Sequence, residues 1–249
     1  MKKVLFDSNG LQTSVHLGIH FSQLLPNPKQ KALDAKCKRL ATFISIIENC
    51  DCEVEFTPYE KSTISDDMLN AFDMLVITTR IPRLPKQPDC EINAIYRFVQ
   101  KGGSLLIMSD HPFQNKPHPI PDIYVASIFD VTLNPPVYPS HGGRCGLTEI
   151  RDNDIHSHAI TDGIQSIVFN NGCRIGTSRR YVLATLPGEA SAFAVAIDFP
   201  YKDYGRVVIT SDSGFVADDN TNFPGPGLIS RGNNEDFIQQ AIEWLLKLR

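Results

Sequence analysis

Residues 88–112 read PDCEINAIYRFVQKGGSLLIMSDHP, and the pattern of these residues indicates the fold class. Apolar residues three and four positions apart after Asp89 predict a helix with one buried face, and Gly102-Gly103 predicts its end. Ser104 to Met108 is short and almost uniformly apolar, which is typical of a strand buried on both faces of a parallel sheet. Three polar residues then follow at the carboxyl end of the strand, where open α/β sheets bind their ligands: Ser109, Asp110 and His111.

Outward from this stretch, strands and helices alternate along the chain. Strands are predicted at Lys3–Phe6, Cys52–Phe56, Asp73–Thr78 and Gly205–Ser213, and a β-meander is predicted within 181–197. Helices are predicted from Lys29, at Ser65–Asn70 and from Asn234. This order, with right-handed crossovers, predicts a flavodoxin-like α/β fold, in which an open, mostly parallel sheet carries helices on both faces.

The length of 249 residues fits one large α/β domain. The regular order lapses after His111, and residues 112–146 hold seven prolines, with a helix predicted only at Asp122–Phe129. A long segment without a regular pattern inside a compact domain is usually a functional loop. We therefore expect a single domain over residues 1–249, with an irregular loop insertion at about 112–146.

Composition and charge exclude several classes of protein. Hydrophobic residues make up 42% of the chain, enough for a core that needs no disulfide or metal to fold. The net charge of −4 repels phosphate backbones, so nucleic acid is not an expected partner. No apolar run reaches the roughly 20 residues of a membrane span, and the first apolar run ends at Asp7, too early for a secretory signal. The six cysteines form no CxxC pair, and we expect a cytoplasmic protein.

Three predicted strands are each followed by serine and aspartate residues. LLIMSD (105–110) and VVITSD (207–212) are near copies, and VLFDS (4–8) is a looser third copy. In a parallel sheet their aspartates, Asp7, Asp110 and Asp212, leave at one edge. There they can hold Mg²⁺ or Ca²⁺, which makes a divalent cation the one cofactor that the sequence suggests. The alternative is that each aspartate caps the element that follows its strand.

The expected catalytic residues are Asp110, His111 and Asp212, with His111 at the presumed switch point of the sheet, where its imidazole can act as a base or a metal ligand. Polar side chains around them are expected to bind the ligand: Asp7, Asn9, Thr78, Arg80, Ser109 and Ser213. His141 and Arg144, in the sequence HGGR, are expected to bind an anionic group of that ligand. The alternative for HGGR is a flexible turn.

Nucleophilic catalysis is not predicted. A nucleophilic serine or cysteine needs a sharp, glycine-flanked turn after a strand. Ser109 follows a suitable strand, but MSDHP lacks those glycines, and no cysteine occupies such a turn. Cys145, in HGGRCG, lies in a glycine-rich loop near a histidine, and a structural thiol is the simpler interpretation. His156 and His158 offer two metal ligands, but without the spacing of a zinc motif.

Five motifs resemble the class I glutamine amidotransferase-like superfamily. They are FDMLVIT (72–78), KGGSLLIM (101–108), HAITDGI (158–164), GRVVITSDSGF (205–215) and NNEDFIQQAIEWLL (233–246). The chain is most similar to the non-catalytic branch found in trehalose-utilisation-type proteins, gliding-motility auxiliary proteins and intraflagellar-transport subunits. This resemblance implies a flavodoxin-like α/β fold.

The chain departs from the glutaminases of that superfamily at the catalytic position. Those enzymes carry a cysteine in G-x-C-x-G after the strand that here is LLIM, and a His-x-Glu pair near the C-terminus. This chain has Ser109-Asp110-His111 instead, and the His-x-Glu pair is absent. The resemblance therefore implies a domain without glutaminase activity that binds a small molecule, a carbohydrate or a protein partner, and that can form an oligomer.

Two enzymatic alternatives remain open. In the first, Asp110, His111 and Asp212 activate water, with or without a divalent cation, and the protein is a hydrolase. In the second, DSNGLQT (7–13) resembles the DxDGT loop of haloacid-dehalogenase-type phosphatases. Asn9 replaces the second carboxylate of that loop, which serves as the acid/base, and this substitution weakens the second alternative.

Overall fold

The computed structural model describes residues 1–10, 39–58, 63–79, 89–110, 122–138, 147–170, 172–178, 181–218 and 227–249. The strands are β1 (Lys2–Phe6), β2 (Cys52–Phe56), β3 (Met74–Thr78), β4 (Ser104–Met108), β5 (Thr132–Tyr138), β6 (Thr148–Arg151), β7 (Ser166–Phe169), β8 (Gly172–Gly176), β9 (Val182–Thr185), β10 (Ala192–Asp198) and β11 (Arg206–Thr210). The helices are α1 (Ala41–Asn49), α2 (Asp66–Leu69), α3 (Asp89–Gln100), α4 (Asp122–Ser127) and α5 (Asn234–Leu245).

Nine strands form one mixed sheet in the order β2-β1-β3-β4-β11-β10-β8-β5, with β9 also paired to β10. The half from β2 to β11 is parallel, and the half beyond β11 is antiparallel. Strands β6 and β7 form a separate antiparallel pair. The predicted flavodoxin-like α/β fold with an open, mostly parallel sheet is confirmed, and the meander predicted within 181–197 corresponds to β9 and β10, which pair antiparallel.

Helices cover both faces of the sheet, because the central strands are apolar on both. Every residue of β3 and β4 is buried. One face packs against α1, α5 and the small sheet, and the other packs against α2, α3 and α4. The apolar spacing after Asp89 predicted that Ile92, Ile95, Tyr96 and Val99 share the buried face of α3. Ile92, Ile95 and Val99 are buried, whereas Tyr96 is 37% exposed.

The predicted insertion at 112–146 contains regular structure in its described part. Residues 122–127 form α4, and residues 132–138 form β5, the last strand in the order of the large sheet. Pro135 and Pro136 lie within β5. Prolines are tolerated on an edge strand because its outer N–H groups have no partner in the sheet. The sequence pattern missed this strand for that reason.

Helix α5 is held to the sheet by buried polar contacts as well as by its apolar face. The Ser104 hydroxyl, at the start of β4, donates to the Leu245 carbonyl at 2.6 Å. The Arg206 guanidinium stacks over the Trp244 ring at 4.6 Å. At the other end of α5, the Asn234 amide bonds to β7.

None of the helices in the described ranges is long and apolar enough to cross a membrane.

Candidate functional site

The carboxyl ends of four neighbouring parallel strands, β1, β3, β4 and β11, form a polar rim. Seven side chains predicted to form the site lie on it: Asp7, Asn9, Thr78, Ser109, Asp110, Asp212 and Ser213. Each of them is at most 5% exposed. Because buried polar groups are unfavourable without partners, the contacts that each makes define what the rim can do.

The strand order reverses between β1 and β3, so the topological switch point lies there and not at β4, where the sequence placed it. The turn that follows β1 occupies the switch point. The Asp7 carboxylate accepts the N–H of Asn9 at 3.2 Å, and the Gly10 N–H donates to the Asp7 carbonyl at 3.2 Å. A Cβ on Gly10 would lie 1.9 Å from the Thr78 hydroxyl, so only glycine fits against β3 here.

Asp110 and Asp212 follow the adjacent strands β4 and β11. The Ser213 hydroxyl donates to Asp110 Oδ2 at 2.8 Å, which ties the two strand ends together. Asp212 accepts two backbone N–H groups, that of Gly214 at 2.6 Å on Oδ1 and that of Asn170 at 3.1 Å on Oδ2. Asp212 therefore stabilises the turn after β11 and joins it to the β7–β8 turn.

Two hydroxyls at the same rim have no hydrogen-bond partner within the part of the chain that the structure describes. They belong to Ser109 and Ser211, both fully buried. The register of β4 and β11 places these serines side by side, since Met108 pairs with Thr210 and the Ser109 N–H donates to the Thr210 carbonyl. Asn170 Oδ1, on the neighbouring turn, is also buried without a partner. Unpartnered buried polar atoms mark places where a ligand or ordered water supplies the missing bond.

The three aspartates do not form a ready metal site. Strand β3 separates β1 from β4, so Asp7 leaves the sheet about 14 Å from Asp212 at ~4.8 Å per strand. Ligands of one Ca²⁺ or Mg²⁺ lie within roughly 5 Å of each other. Among the described residues, no group of three or more His, Cys, Asp or Glu side chains is arranged to hold a metal ion. A site that uses Asp110 and Asp212 with ligands from elsewhere stays a prediction.

Several predicted site residues lie outside the described residues. They are Arg80, His111, His141 and Arg144, and Cys145 joins them. Their proposed roles as base and anion ligands stay predictions.

The backbone at Ser109 continues the sheet and forms no nucleophile turn. Its N–H completes the pairing of β4 with β11. Among the described residues other than glycine, those with a positive φ angle are Asp51, Asp130, Asp152 and Lys247, so Ser109 and Asp110 are not strained in that way. A nucleophile elbow needs a sharp, strained turn at this position. The backbone at Ser109 does not form such a turn.

The His158 side chain makes contacts within the fold. Its Nδ1 accepts the Ile160 N–H at 3.1 Å, and its ring lies edge-on against Trp244 at 5.3 Å. Burial, and then the nearby Arg206 guanidinium, lower the pKa of His158, while Asp198 opposes that effect. His156 is exposed. The two histidines belong to no metal-binding group in the described part of the chain.

We expect His158 to make the protein less stable in mild acid. Its pKa is lowered in the folded state from an ordinary value of 6.5, so the unfolded chain binds the proton first and stability is lost as the pH falls through 6.5. His158→Asn keeps an acceptor and removes the titration, so its unfolding free energy should fall less steeply from pH 8 to pH 5. Urea unfolding across this range measures the difference. Exposed His156→Asn is the control, and parallel curves for His158→Asn and the unmodified protein would contradict the expectation.

The sequence missed two residues of this region. Ser211 belongs to the repeated Ser-Asp motif, which was interpreted through its aspartate alone. Asn170 lies on the β7–β8 turn, 42 residues before Asp212, and only the tertiary structure brings the two together. The Ser-Asp repeat itself was a signal for Ser211, because Ser109 and Ser211 hold equivalent places after adjacent strands.

Comparison with known proteins identifies related folds. No family model matches the chain, and no curated protein sequence matches it. The N-terminal domain of mmIFT52 superposes with a TM-score of 0.66 at 9% identity, covering 98% of this chain and 97% of that one. The cytoplasmic protein STM1381 from Salmonella typhimurium LT2 gives 0.60 at 12%, covering 83% and 87%. A ThuA-like protein from Bacteroides uniformis gives 0.50 at 13%, covering 98% and 91%.

Identities this low show a shared fold and nothing finer. The chain shares its α/β fold with a protein described as ThuA-like, and this agrees with the α/β fold that its motifs imply. The role of the rim depends on this chain's own side chains.

Proposed function

We propose that this protein is a ligand-binding domain on an amidotransferase-like scaffold, without glutaminase activity, and that the rim between β4 and β11 binds a small, neutral, hydroxyl-rich molecule such as a carbohydrate. The observation that carries the proposal is the pair of buried, unpartnered hydroxyls of Ser109 and Ser211. The cytoplasmic location belongs to the same proposal, supported by the description of two similar structures as cytoplasmic proteins.

The chemistry of the rim favours a neutral ligand with several hydroxyl groups. Serine hydroxyls both donate and accept hydrogen bonds, and the Asp110 carboxylate is an acceptor. Sugar hydroxyls can satisfy both kinds of group. An anionic ligand would face the carboxylates of Asp110 and Asp212 across a buried, weakly screened space, which is unfavourable. Because the rim is buried, it must open to admit the ligand. The hydrogen bonds between the enclosed ligand and the rim are then strong, because they are shielded from water.

A thermal-shift screen tests the proposal with a panel of mono- and disaccharides, and with Mg²⁺, Ca²⁺ and Zn²⁺ in parallel. A ligand at a hundredfold excess over its Kd stabilises the fold by about 2.7 kcal/mol, which raises the Tm of a chain of this size by roughly 5–10 °C. Asp110→Asn should reduce the shift, and exposed His156→Asn should not. The proposal fails if no sugar shifts the Tm, or if the shift persists in Asp110→Asn.

Ser104 at the start of β4 and Ser109 just after its end allow a structural hydroxyl to be compared with the proposed ligand-binding one. Ser109→Ala removes a buried hydroxyl without a partner, so stability should stay within about 0.5 kcal/mol of the unmodified protein or rise. Ser104→Ala removes the bond to the Leu245 carbonyl and should cost about 1–3 kcal/mol. Denaturant unfolding measures both. Only Ser109→Ala should weaken sugar binding, and a large loss of stability in Ser109→Ala would show that its hydroxyl is structural.

A hydrolase is the second candidate, favoured by the placement of Asp110 and Asp212 on adjacent strand ends. It predicts turnover of 4-nitrophenyl acetate or 4-nitrophenyl phosphate that both Asp110→Asn and Asp212→Asn abolish. Asp212 also holds the β7–β8 turn, so unfolding curves of the variants must accompany the assay. Sugar binding without turnover supports the binding domain over the hydrolase.

A further inference from the structure

A pocket opens between α2, α3 and the start of β4, at the opposite end of the sheet from the rim. Its volume is about 380 Å³, including the part that is open to solvent. This volume lies at the lower end of the range for small-molecule sites in proteins. We call it the α2–α3 pocket, and its lining has an apolar side and a polar side: Leu69, Phe72 and Phe98 on the first, and Asp66, Asn70 and Lys101 on the second.

The apolar side of the pocket is fixed by the turn that follows α3. The Gly103 N–H donates to the Phe98 carbonyl at 3.0 Å, so the chain folds back over the end of the helix. A Cβ on Gly103 would lie 2.2 Å from the Phe98 ring, and only glycine lets the ring occupy this place. Phe98 is 7% exposed and Leu69 is 1% exposed, whereas Phe72 is partly exposed. These side chains offer a preformed apolar surface to the body of a ligand.

The polar side of the pocket contains one carboxylate and one ammonium group. The Asp66 carboxylate is already bound by Arg97, whose Nε donates to Oδ1 at 2.9 Å and whose Nη2 donates to Oδ2 at 2.5 Å. Lys101 follows Arg97 by four residues, which places both on one side of α3. Its side chain is exposed and takes part in no ion pair within the described ranges. The pocket therefore has one cation that is not matched by a carboxylate.

The electrostatics of Asp66 agree with this count of charges. The hydrogen bond from Arg97, and also the positive charge of Lys101, lower the pKa of the Asp66 carboxyl, so this group is ionised at neutral pH. Asp67 and Asp203 are close in sequence or in space, but neither of them lines the pocket. A cationic ligand would meet Lys101 and would find the Asp66 oxygens already bound to Arg97. A ligand with one negative charge balances the lining.

We propose that the α2–α3 pocket binds a small carboxylic acid with an aromatic or aliphatic body, of about the size of phenylpropanoate. The carboxylate pairs with the Lys101 ammonium and accepts a hydrogen bond from the Asn70 amide. The body of the ligand packs against Phe72 and Phe98. A neutral sugar offers no charge to Lys101, and inorganic phosphate offers no apolar body to the two rings.

This site goes beyond the ligand site proposed at the rim and fails independently of it. Gly103 directly precedes β4, and the rim follows the five residues of that strand, so the two sites lie roughly 17 Å apart. Changes to Lys101 should leave the sugar-induced thermal shift unchanged. Asp110→Asn should leave binding of the carboxylic acid unchanged.

Fluorine NMR of 3-(4-fluorophenyl)propanoate, titrated with the full chain, tests the proposal. We expect saturable broadening of the ligand signal with a Kd of about 1 mM or below, which is reasonable for a molecule of this size. Lys101→Met should weaken binding about fivefold, the range of a partly exposed ion pair, and Lys101→Arg should retain binding. Lys202→Met removes the same charge from an exposed position outside the pocket and should have no effect. Asn70→Trp places a large ring in the pocket and should abolish saturable binding.

Competition experiments separate the two parts of the ligand. Unlabelled 3-phenylpropanoate should displace the fluorinated probe. 3-Phenylpropanamide keeps the apolar body without the charge, and acetate keeps the charge without the body. Both should compete clearly less well than the complete acid, as should inorganic phosphate.

Four results would overturn the proposal. The first is no saturable binding of the probe, and the second is an equal loss of binding in Lys101→Met and Lys202→Met. The third is equal competition by the acid and its amide, which would show that the charge does not select the ligand. The fourth is much tighter binding of a peptide that ends in phenylalanine with a free carboxylate, which would assign the pocket to the chain end of a partner protein. Melting curves confirm that the variants are folded, since all three positions are exposed.

Discussion

Replacing Asn234 by aspartate is expected to lower the free energy of unfolding by about 3–5 kcal/mol, because a buried charge would be left without a partner. The Asn234 side chain is fully buried at the start of α5. The two N–H groups of its Nδ2 are shared among three carbonyls, those of Val168 at 2.6 Å, Leu228 at 2.8 Å and Phe215 at 3.2 Å, and its Oδ1 accepts the Val168 N–H at 2.9 Å. One amide thus joins α5, β7 and two short 3-10 turns.

Aspartate has the same shape but no donor, so its second oxygen would face carbonyl oxygens. The neighbouring Asn233→Asp is the matched control. Asn233 Oδ1 accepts the N–H groups of Gln165 and Ser166, and an aspartate can still accept them. The one bond that Asn233→Asp loses is the exposed one from Nδ2 to the Asp236 carboxylate at 3.0 Å. Its cost should stay below about 1 kcal/mol, the range of a surface change. Urea unfolding of both variants measures the difference, and equal losses would show that the Asn234 donors contribute little.

The parallel half of the fold is predictable from the sequence, because its signals are local. The bounds of β4 are those predicted, and α3 ends at Gln100 just before Gly102, whose φ of +99° needs glycine. The antiparallel half is less predictable. Strand β5 contains two prolines, and β6 has four residues with only one of them buried. Short strands of this kind are stabilised by pairing with distant segments, and no local pattern encodes that pairing.

The candidate site shows the same division. The polar residues after β1, β4 and β11 could be named in advance, since an apolar run followed by Ser-Asp is visible in the sequence. Their partners could not. The hydrogen bond between Ser213 and Asp110 joins residues 103 positions apart. The sequence pattern also does not reveal that β3 lies between β1 and β4. This intervening strand separates Asp7 from the other two aspartates. Side-chain chemistry is local, whereas the distance between side chains depends on strand order.

Replacing Gly205 by alanine is expected to cost about 3 kcal/mol, the upper part of the range for overpacking. A Cβ at this position would lie 1.8 Å from the Gly103 carbonyl oxygen and 2.5 Å from its carbon. Both atoms belong to the backbone, and neither can rotate away as a side chain would. The Gly205 N–H also donates to the Val99 carbonyl at 2.7 Å, so the loop cannot move outward without breaking a bond to α3.

Gly188→Ala is the control, because it isolates backbone conformation from space. Gly188 has a φ of +73° and no neighbouring atom within 4 Å of a Cβ, so its alanine variant should cost about 1 kcal/mol from the left-handed backbone alone. Gly205→Ala should cost clearly more, because its Cβ would also meet the backbone of Gly103. Equal costs for the two variants in urea unfolding would show that the β10–β11 loop moves away from Gly103 at little cost in free energy.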